Sequence, residues 1–527
     1  MKKNFIYNIF FRKEIQIHII FLGVFSIFFN QYIANKGAFP IDSFLIFDAG
    51  FNILSGNHPF KDYWLITGPF LDYLQSFFFI AFGVSWKSYV LHASTINMIL
   101  TIFSYFFFLS IGLKKNLSFL YSLGVAILAY PSIGTPFIDH HSVIFCILAV
   151  FSISIAVLSK KIFFWFLIPV LLTFSFFSKQ IPSPYFVVLF TIFILIFFFL
   201  EKKIDKNIII SLILGIFFSL SLVFSIFYIN EIPVKNFLIQ YLYYPFSLGN
   251  ERIEKLDIDY KNLIGQFKFI YFATIPLAIS IYFLVKKKEK KINFKDELIV
   301  SLLFIFSIII LIYCQLLTKN QILIYFLIPI CLAYSHCYVL KYFNNKYLVY
   351  LILIVFIFTT AKYHIRFNEN RKFIELAEVD LSLSVKATLL DERLKGLQWI
   401  TPHFPKQPSK EINFLLDAKN ILLDRDEEKI IITDYQFFNS LINNDLASPN
   451  KWYDGLSIPD KKNIYYNDYK KFFFNKIKKN KIKSIFFIGK NKIEMHFFQE
   501  LINQNDCIVP SKINELFIEY NISKCEF

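Results

Sequence analysis

A mainly α, polytopic membrane protein with about eleven transmembrane helices, followed by a soluble α/β domain, is the fold class this sequence predicts. Three observations predict it. Hydrophobic residues make up 56% of the chain and aromatic residues 20%, and the mean hydropathy is +0.51. The apolar residues lie in runs long enough to cross a bilayer, which globular composition does not produce. Lysines fall in short clusters between those runs, where they act as topology signals. After Ala361 the composition turns charged and mixed.

The first run, Ile15 to about Ala34, follows a short basic segment with Lys2, Lys3, Arg12 and Lys13. It is longer than the apolar part of a secretory signal, and no small-x-small cleavage site follows it, so it reads as a retained anchor. Ten further spans are expected at about Tyr89–Leu113, Leu117–Ile133, Val143–Leu158, Ile162–Phe177, Tyr185–Leu200, Ile208–Ile229, Phe269–Val285, Leu298–Leu316, Ile322–Val339 and Tyr347–Thr360. Pro69–Gly83 is also apolar but falls short of the roughly 20 residues that a spanning helix needs.

Charge counting decides how that short run is placed. If it does not cross, the inside loops carry 19 basic residues, among them Lys114, Lys160, Lys202, Lys286 and Lys341, against 10 outside. If it crosses, every later loop inverts and the balance becomes about 12 inside against 17 outside, against the positive-inside rule. Pro69–Gly83 is therefore expected to lie along the outer interface as an amphipathic or re-entrant helix. The same count puts the loop after Ala34, the Asp139-His140-His141 turn, Lys179-Gln180, the loop from Asn230 to Gln266 and the tail on one outer face.

The net charge of +16 comes with no nucleic-acid-binding pattern, and nucleic acid is not an expected partner. None of the six cysteines forms a CxxC pair. Cys507 and Cys525 lie in the polar tail, where an extracytoplasmic location would permit a disulfide that spacing alone does not establish. Two domains are expected: residues 1–361 in the membrane, with the first external loop at 35–88, and 362–527 outside it. In the tail, Lys429–Thr433 and Ser484–Ile488 read as buried strands and Lys492–Asn503 as a helix. Ser448–Asp454 (SPNKWYD) reads as a structural turn or a surface aromatic contact, the former favoured.

Ionisable residues crowd the first external loop: Asp42, Asp48, His58, Lys61, Asp62 and Asp72. A membrane-embedded chain keeps such groups mainly for function. Asp42, just past the first span, is placed to serve as a general base toward a hydroxyl or amine, or as a helix cap or interfacial anchor. Asp48 is expected on another helical face and Asp62 as a cap or loop hydrogen-bonder. Asp139, His140 and His141 are candidate metal ligands, although adjacent histidines diverge on a helix or strand and favour a polar cluster without metal. A divalent cation thus stays open as a cofactor. Lys61, Lys179 and Arg252 are candidate phosphate-binding cations or, alternatively, interfacial cations reaching lipid headgroups, with Gln180 beside Lys179.

The order Asp42, then Gly56-Asn57-His58-Pro59-Phe60-Lys61-Asp62, then Gly68-Pro69-Phe70 and a closing Phe82-Gly83 resembles the first external loop of GT-C glycosyltransferases. The closest branch is the bacterial one related to protein O-mannosyltransferases and lipid A aminoarabinose transferases. There an Asp, often Asp-Glu, stands about 17 residues before Gly-x-x-Pro-Tyr-x-Asp, followed by Pro-Pro-Leu or Gly-Pro-Leu and ending in Phe-Gly. Here Asp42 precedes Pro59 by 17, Phe60 stands for the Tyr, and Ser43 replaces the common Glu. The match covers about 45 residues, and span layout and tail extend it loosely.

The resemblance implies transfer of a sugar from a polyprenyl-phosphate donor to a cell-envelope acceptor at the outer face of the bacterial inner membrane, inverting the anomeric carbon. By position it makes Asp42 the base, and Asp139 the acidic residue that relatives carry in the second external loop. Lys179 in SKQIPSP resembles the membrane-side Lys-x-Pro turn, suited to the leaving phosphate. Two other readings are a lipid-linked saccharide transporter, which would need charges along the spans, and a polymerase or ligase of surface polysaccharide.

Overall fold

The computed structural model describes residues 13–254, 259–287, 294–319, 322–343, 345–453, 456–489 and 509–522. Each of the eleven apolar runs is helical. In chain order the helices are α1 (Lys13–Ala34), two short ones, α2 (Pro40–Ser43) and α3 (Phe47–Leu54), then α4 (Pro69–Phe82), α5 (Trp86–Ile111), α6 (Lys115–Leu128), α7 (Ile138–Ser159), α8 (Phe163–Ser178), α9 (Ser183–Glu201) and α10 (Lys206–Ile229). There follow α11 (Val234–Phe237), α12 (Tyr244–Glu254), α13 (Lys268–Lys287), α14 (Phe294–Leu317), α15 (Leu327–Tyr342) and α16 (Lys346–His364). Among the described residues seven helices are long and apolar enough to cross a membrane, by length and composition: α1, α5, α7, α9, α10, α14 and α16. The protein is a multi-pass membrane protein.

Local sequence sets the helix ends. Ser85 opens α5 with a capping box, and Asp205 and Asn345 accept backbone N–H bonds at the starts of α10 and α16. Pro40 and Pro69 occupy first-turn positions, where the missing N–H has no helical partner to lose. Pro131 follows α6, which closes at Leu128 before a 3₁₀ turn, five residues short of the expected end. α15 likewise starts at Leu327, after a buried non-helical stretch, and not at Ile322.

Two expected loops are helical. Asp139, His140 and His141 lie in the first turn of α7, which starts after the extended Phe137 rather than at Val143. Asn230–Gln266 contains α11, a π-turn at Leu238–Tyr243, α12 and a second π-turn at Lys261–Gly265.

Helix α4 is amphipathic in an inverted sense. Asp72, Gln75 and Ser76 are buried toward the protein, while Phe77, Ile80 and Phe82 are exposed. The helix thus turns its polar side chains toward the protein and its apolar ones away from it.

In the tail, helices α17 (Pro408–Leu423), α18 (Phe438–Ile442) and α19 (Tyr466–Lys479) accompany a two-stranded ribbon, β1 (Val385–Lys386) and β2 (Gln398–Trp399), and a four-stranded sheet. The sheet strands are β3 (Lys429–Thr433), β4 (Ser484–Ile488), β5 (Val509–Lys512) and β6 (Phe517–Asn521), in the order β3-β4-β6-β5. β3 and β4 pair in parallel from Lys429 opposite Ser484, and the other pairs are antiparallel. The edge strand β3 and its neighbour β4 are continuous apolar runs because both their faces are covered. The helix expected at Lys492–Asn503, and Cys507 and Cys525, lie outside the described residues.

The tail is not a separate lobe. Phe44, Phe47, Leu71 and Phe79 of the first loop share one apolar core with Trp399, Leu415, Phe437 and Phe486 of the tail. Trp64 and Tyr244 share another with Tyr469, Phe473 and Ile485. The segment read as a turn or surface contact at Ser448–Asp454 is a docking strip instead: Trp64 N–H donates to Pro449 O at 2.7 Å and Lys451 N–H to Trp64 O at 3.3 Å. Nothing local to that segment announces its partner, which lies almost 400 positions away.

Candidate active site

The loops that charge counting puts on one side meet one another around Gly68-Pro69. Gly68 has φ +77°, and a Cβ there would come within 2.5 Å of Ile138 Cγ2 and 3.5 Å of Lys451 Nζ. Only glycine lets the first loop pass between the start of α7 and the tail. Two buried ion pairs flank this crossing.

The first pair joins Asp139 to Lys179, Oδ1 to Nζ at 2.5 Å. Asp139 sits in the first turn of α7, where unpaired backbone N–H groups and the helix dipole favour a carboxylate. Lys179 is the residue after α8, in extended conformation, and its carbonyl accepts from Ser142 Oγ at 3.1 Å. The second oxygen of Asp139 is buried with no hydrogen-bond partner among the described residues.

The second pair, Asp72 with Lys451, crosses from α4 to the tail, and Tyr63 O–H donates to the other Asp72 oxygen at 2.7 Å. Asp72 stood out from sequence only as one of the ionisable residues crowding the first loop, with no role of its own, and Lys451 did not stand out at all. A carboxylate inside an apolar 14-residue helix is the signal that asks for a buried cation.

Beside these pairs opens a cleft of about 700 Å³. Ile66 and Thr67, Ile138, Lys179 with Gln180, Tyr241 and Phe246, and the tail's Trp452, Leu456 and Ser457 line it. Its walls are mostly apolar, with one cation and a few polar groups, a lining suited to an amphiphile with an anionic head. Gln180 Nε2 donates to Ile66 O and Tyr241 O, both at 2.8 Å, and so ties the first loop to the π-turn.

The remaining candidates are placed elsewhere. Asp42 lies half-buried on α2, close enough to act electrostatically on the Tyr89 phenol, and it does not line the cleft. Lys61 donates to Asn230 O at 3.0 Å and reaches Glu231 at 3.4 Å, so it pins a loop. His58 Nδ1 meets Tyr73 O–H at 3.2 Å, and Asp62 accepts from His58 N–H at 2.9 Å. Arg252 is on α12, its side chain outside those described.

Asp48 is a structural group rather than a second site carboxylate. Its two oxygens accept the N–H groups of Asn439 and Ser440 in the first turn of α18, each at 3.2 Å. Burial pushes its pKa up to about 7, against the pull of those hydrogen bonds. The folded state therefore holds a proton that the unfolded chain releases near pH 4, so this contribution to stability is present at low pH and is lost as pH rises through about 7. Thermal unfolding in detergent should show the midpoint falling between pH 5 and pH 8 more steeply for the wild type than for Asp48→Asn. Parallel curves would show that Asp48 does not titrate in this way.

The histidines do not form a metal cluster. His141 Nε2 contacts His92 Nε2 at 3.0 Å, its Nδ1 faces Tyr130 O–H and Phe137 O, and His92 Nδ1 faces the Gln75 amide at 2.9 Å. Both imidazole nitrogens of His141 are thereby engaged. His140 packs edge-on against Tyr130 and Phe326, at 5.0 and 5.5 Å between ring centroids. Among the described residues no group of three His, Cys, Asp or Glu is arranged to hold a metal ion.

Fold and site together define a multi-pass membrane protein whose tail closes one wall of an apolar cleft with a buried ion pair at its edge. No family model matches the sequence, and no curated protein does. Among solved structures the chain is similar to the archaeal oligosaccharyltransferase AglB from Archaeoglobus fulgidus, in complex with an inhibitory peptide and a dolichol-phosphate. The identity is 11%, over 92% of this chain and 70% of that one, with a TM-score of 0.37. At that level the likeness assigns neither family nor activity.

Proposed function

We propose that the chain is a GT-C type membrane glycosyltransferase, moving a sugar from a polyprenyl-phosphate donor to a cell-envelope acceptor at the outer face of the membrane. The observation that carries this reading is the Asp139–Lys179 pair at the edge of a mostly apolar cleft. The Asp42 to Phe82-Gly83 motif supports it independently.

In this reading the isoprenoid chain lies along Ile66, Ile138, Tyr241 and Phe246, and the phosphate comes to Lys179. The acceptor oxygen attacks the anomeric carbon as its proton passes to a base, the role that the motif gives to the Asp42 carboxylate outside the cleft lining. The bond from that carbon to the phosphate oxygen breaks, and its electron pair leaves with polyprenyl phosphate. A fixed ammonium matters most at that moment, because negative charge grows on the leaving group in a low-dielectric wall. Asp139 keeps Lys179 oriented while the cleft is empty.

The test is sugar transfer from a polyprenyl-phosphate donor by the purified chain in liposomes. Asp42→Asn should lower the rate by about 10²–10⁴, the usual contribution of a positioned base. Transfer at the wild-type rate removes Asp42 as base, and no transfer to any envelope acceptor by the wild type removes the proposal.

A further inference from the structure

A second cavity, of about 740 Å³, lies at the opposite end of the helix bundle. Ile138, the first residue of α7, lines the cleft, whereas Leu158 and Ser159, at its last turn, line this cavity. Likewise Leu317 ends α14 in the cleft while Asp296 and Glu297, in its first turn, face the second cavity. At 1.5 Å per residue the two cavities are about 30 Å apart.

The charged lining is lopsided. Lys114, Lys160, Lys161 and Lys341 face two carboxylates, Asp296 and Glu297. Lys160 pairs with Asp296 at 3.1 Å and Lys341 with Glu297, and Tyr342 O–H also donates to Glu297 at 3.0 Å. Lys114 and Lys161 have no carboxylate partner among the described residues, so the cavity keeps an excess of two positive charges. Below the charges the wall is apolar, with Leu109, Leu113, Leu158 and Leu340.

We infer that this cavity binds the headgroup of an anionic phospholipid, with the phosphate at Lys114 and Lys161 and an acyl chain against the leucines. The shared chemistry is a phosphate anion, and the apolar wall points to the lipid as its source, since a soluble anion has nothing to place there. Basic pockets between transmembrane helices hold anionic headgroups in this way. The inference is independent of the proposed transferase activity, because it concerns the other end of the bundle.

Native mass spectrometry of the full chain in detergent, with phosphatidylglycerol added against phosphatidylcholine, tests it. One phosphatidylglycerol should be retained per chain, and the Lys114→Gln/Lys161→Gln variant should bind it about 30-fold more weakly. Neither lysine holds a carboxylate among the described residues, so there the substitutions orphan no buried charge. Lys203→Gln/Lys206→Gln, at exposed positions off the cavity, removes the same charge and should leave binding unchanged. Equal retention by the cavity variant, equal loss in the control, or displacement of the lipid by inorganic phosphate would each overturn the proposal.

Discussion

Lys179→Met should cost roughly 3–5 kcal/mol of stability, because it strands the buried Asp139 carboxylate without its cation. The same change should lower sugar transfer by about 10²–10³, the effect of removing one group aimed at developing charge. The two losses are separable. In Asp139→Asn/Lys179→Met both charges are gone, so most of the stability should return, while transfer should stay low. Unfolding midpoints and transfer rates of the two variants, side by side, decide the matter. Transfer that recovers along with stability would make the pair purely structural and would remove Lys179 as the proposed phosphate-binding group.

Arg371→Leu should be the most damaging single change in the tail. Arg371 is 1% exposed, and its guanidinium donates to Pro131 O and Ile133 O at 2.9 Å each and to Lys36 O at 3.3 Å. One side chain thus fastens the end of the first span, the turn before α7 and the start of the tail. Gly134, with φ +93°, makes room for it: a Cβ there would stand 2.9 Å from Ala34 Cα and 3.1 Å from Arg371 Nη2. Removing the guanidinium leaves three carbonyls without this donor, at roughly 1–3 kcal/mol for each one that stays unsatisfied. The leucine variant should fail to give monodisperse protein in detergent, or should unfold at a much lower temperature. Arg371→Lys keeps the charge but loses the planar fork and should fall between the two. A leucine variant with the wild-type midpoint would refute the clamp.

These two residues differ in how far the sequence exposed them. Lys179 was visible beside a proline-containing turn next to an apolar run, and Asp139 stood at the head of a run with no other acid in it. Arg371 and Lys451 were not visible, because their partners are carbonyls and a carboxylate brought near from distant parts of the chain. Lys451 and Asp72 are 379 positions apart. Asp48 was visible as an ionisable group, but its use as a cap for α18 depends on a helix that begins only at Phe438.

The chain by itself determined where its apolar runs are helical and that the strands β3 and β4 are buried, because run length, period and capping residues are local properties. The lysine count also put several loops together, and those loops are in contact. Only tertiary structure decided that the tail shares its core with the first loop, that α4 turns its polar edge inward, and which acids and bases pair around Gly68. Those outcomes depend on burial and on long-range approach, and a carboxylate's role follows from what desolvates it and what donates to it, neither of which is written next to it in the chain.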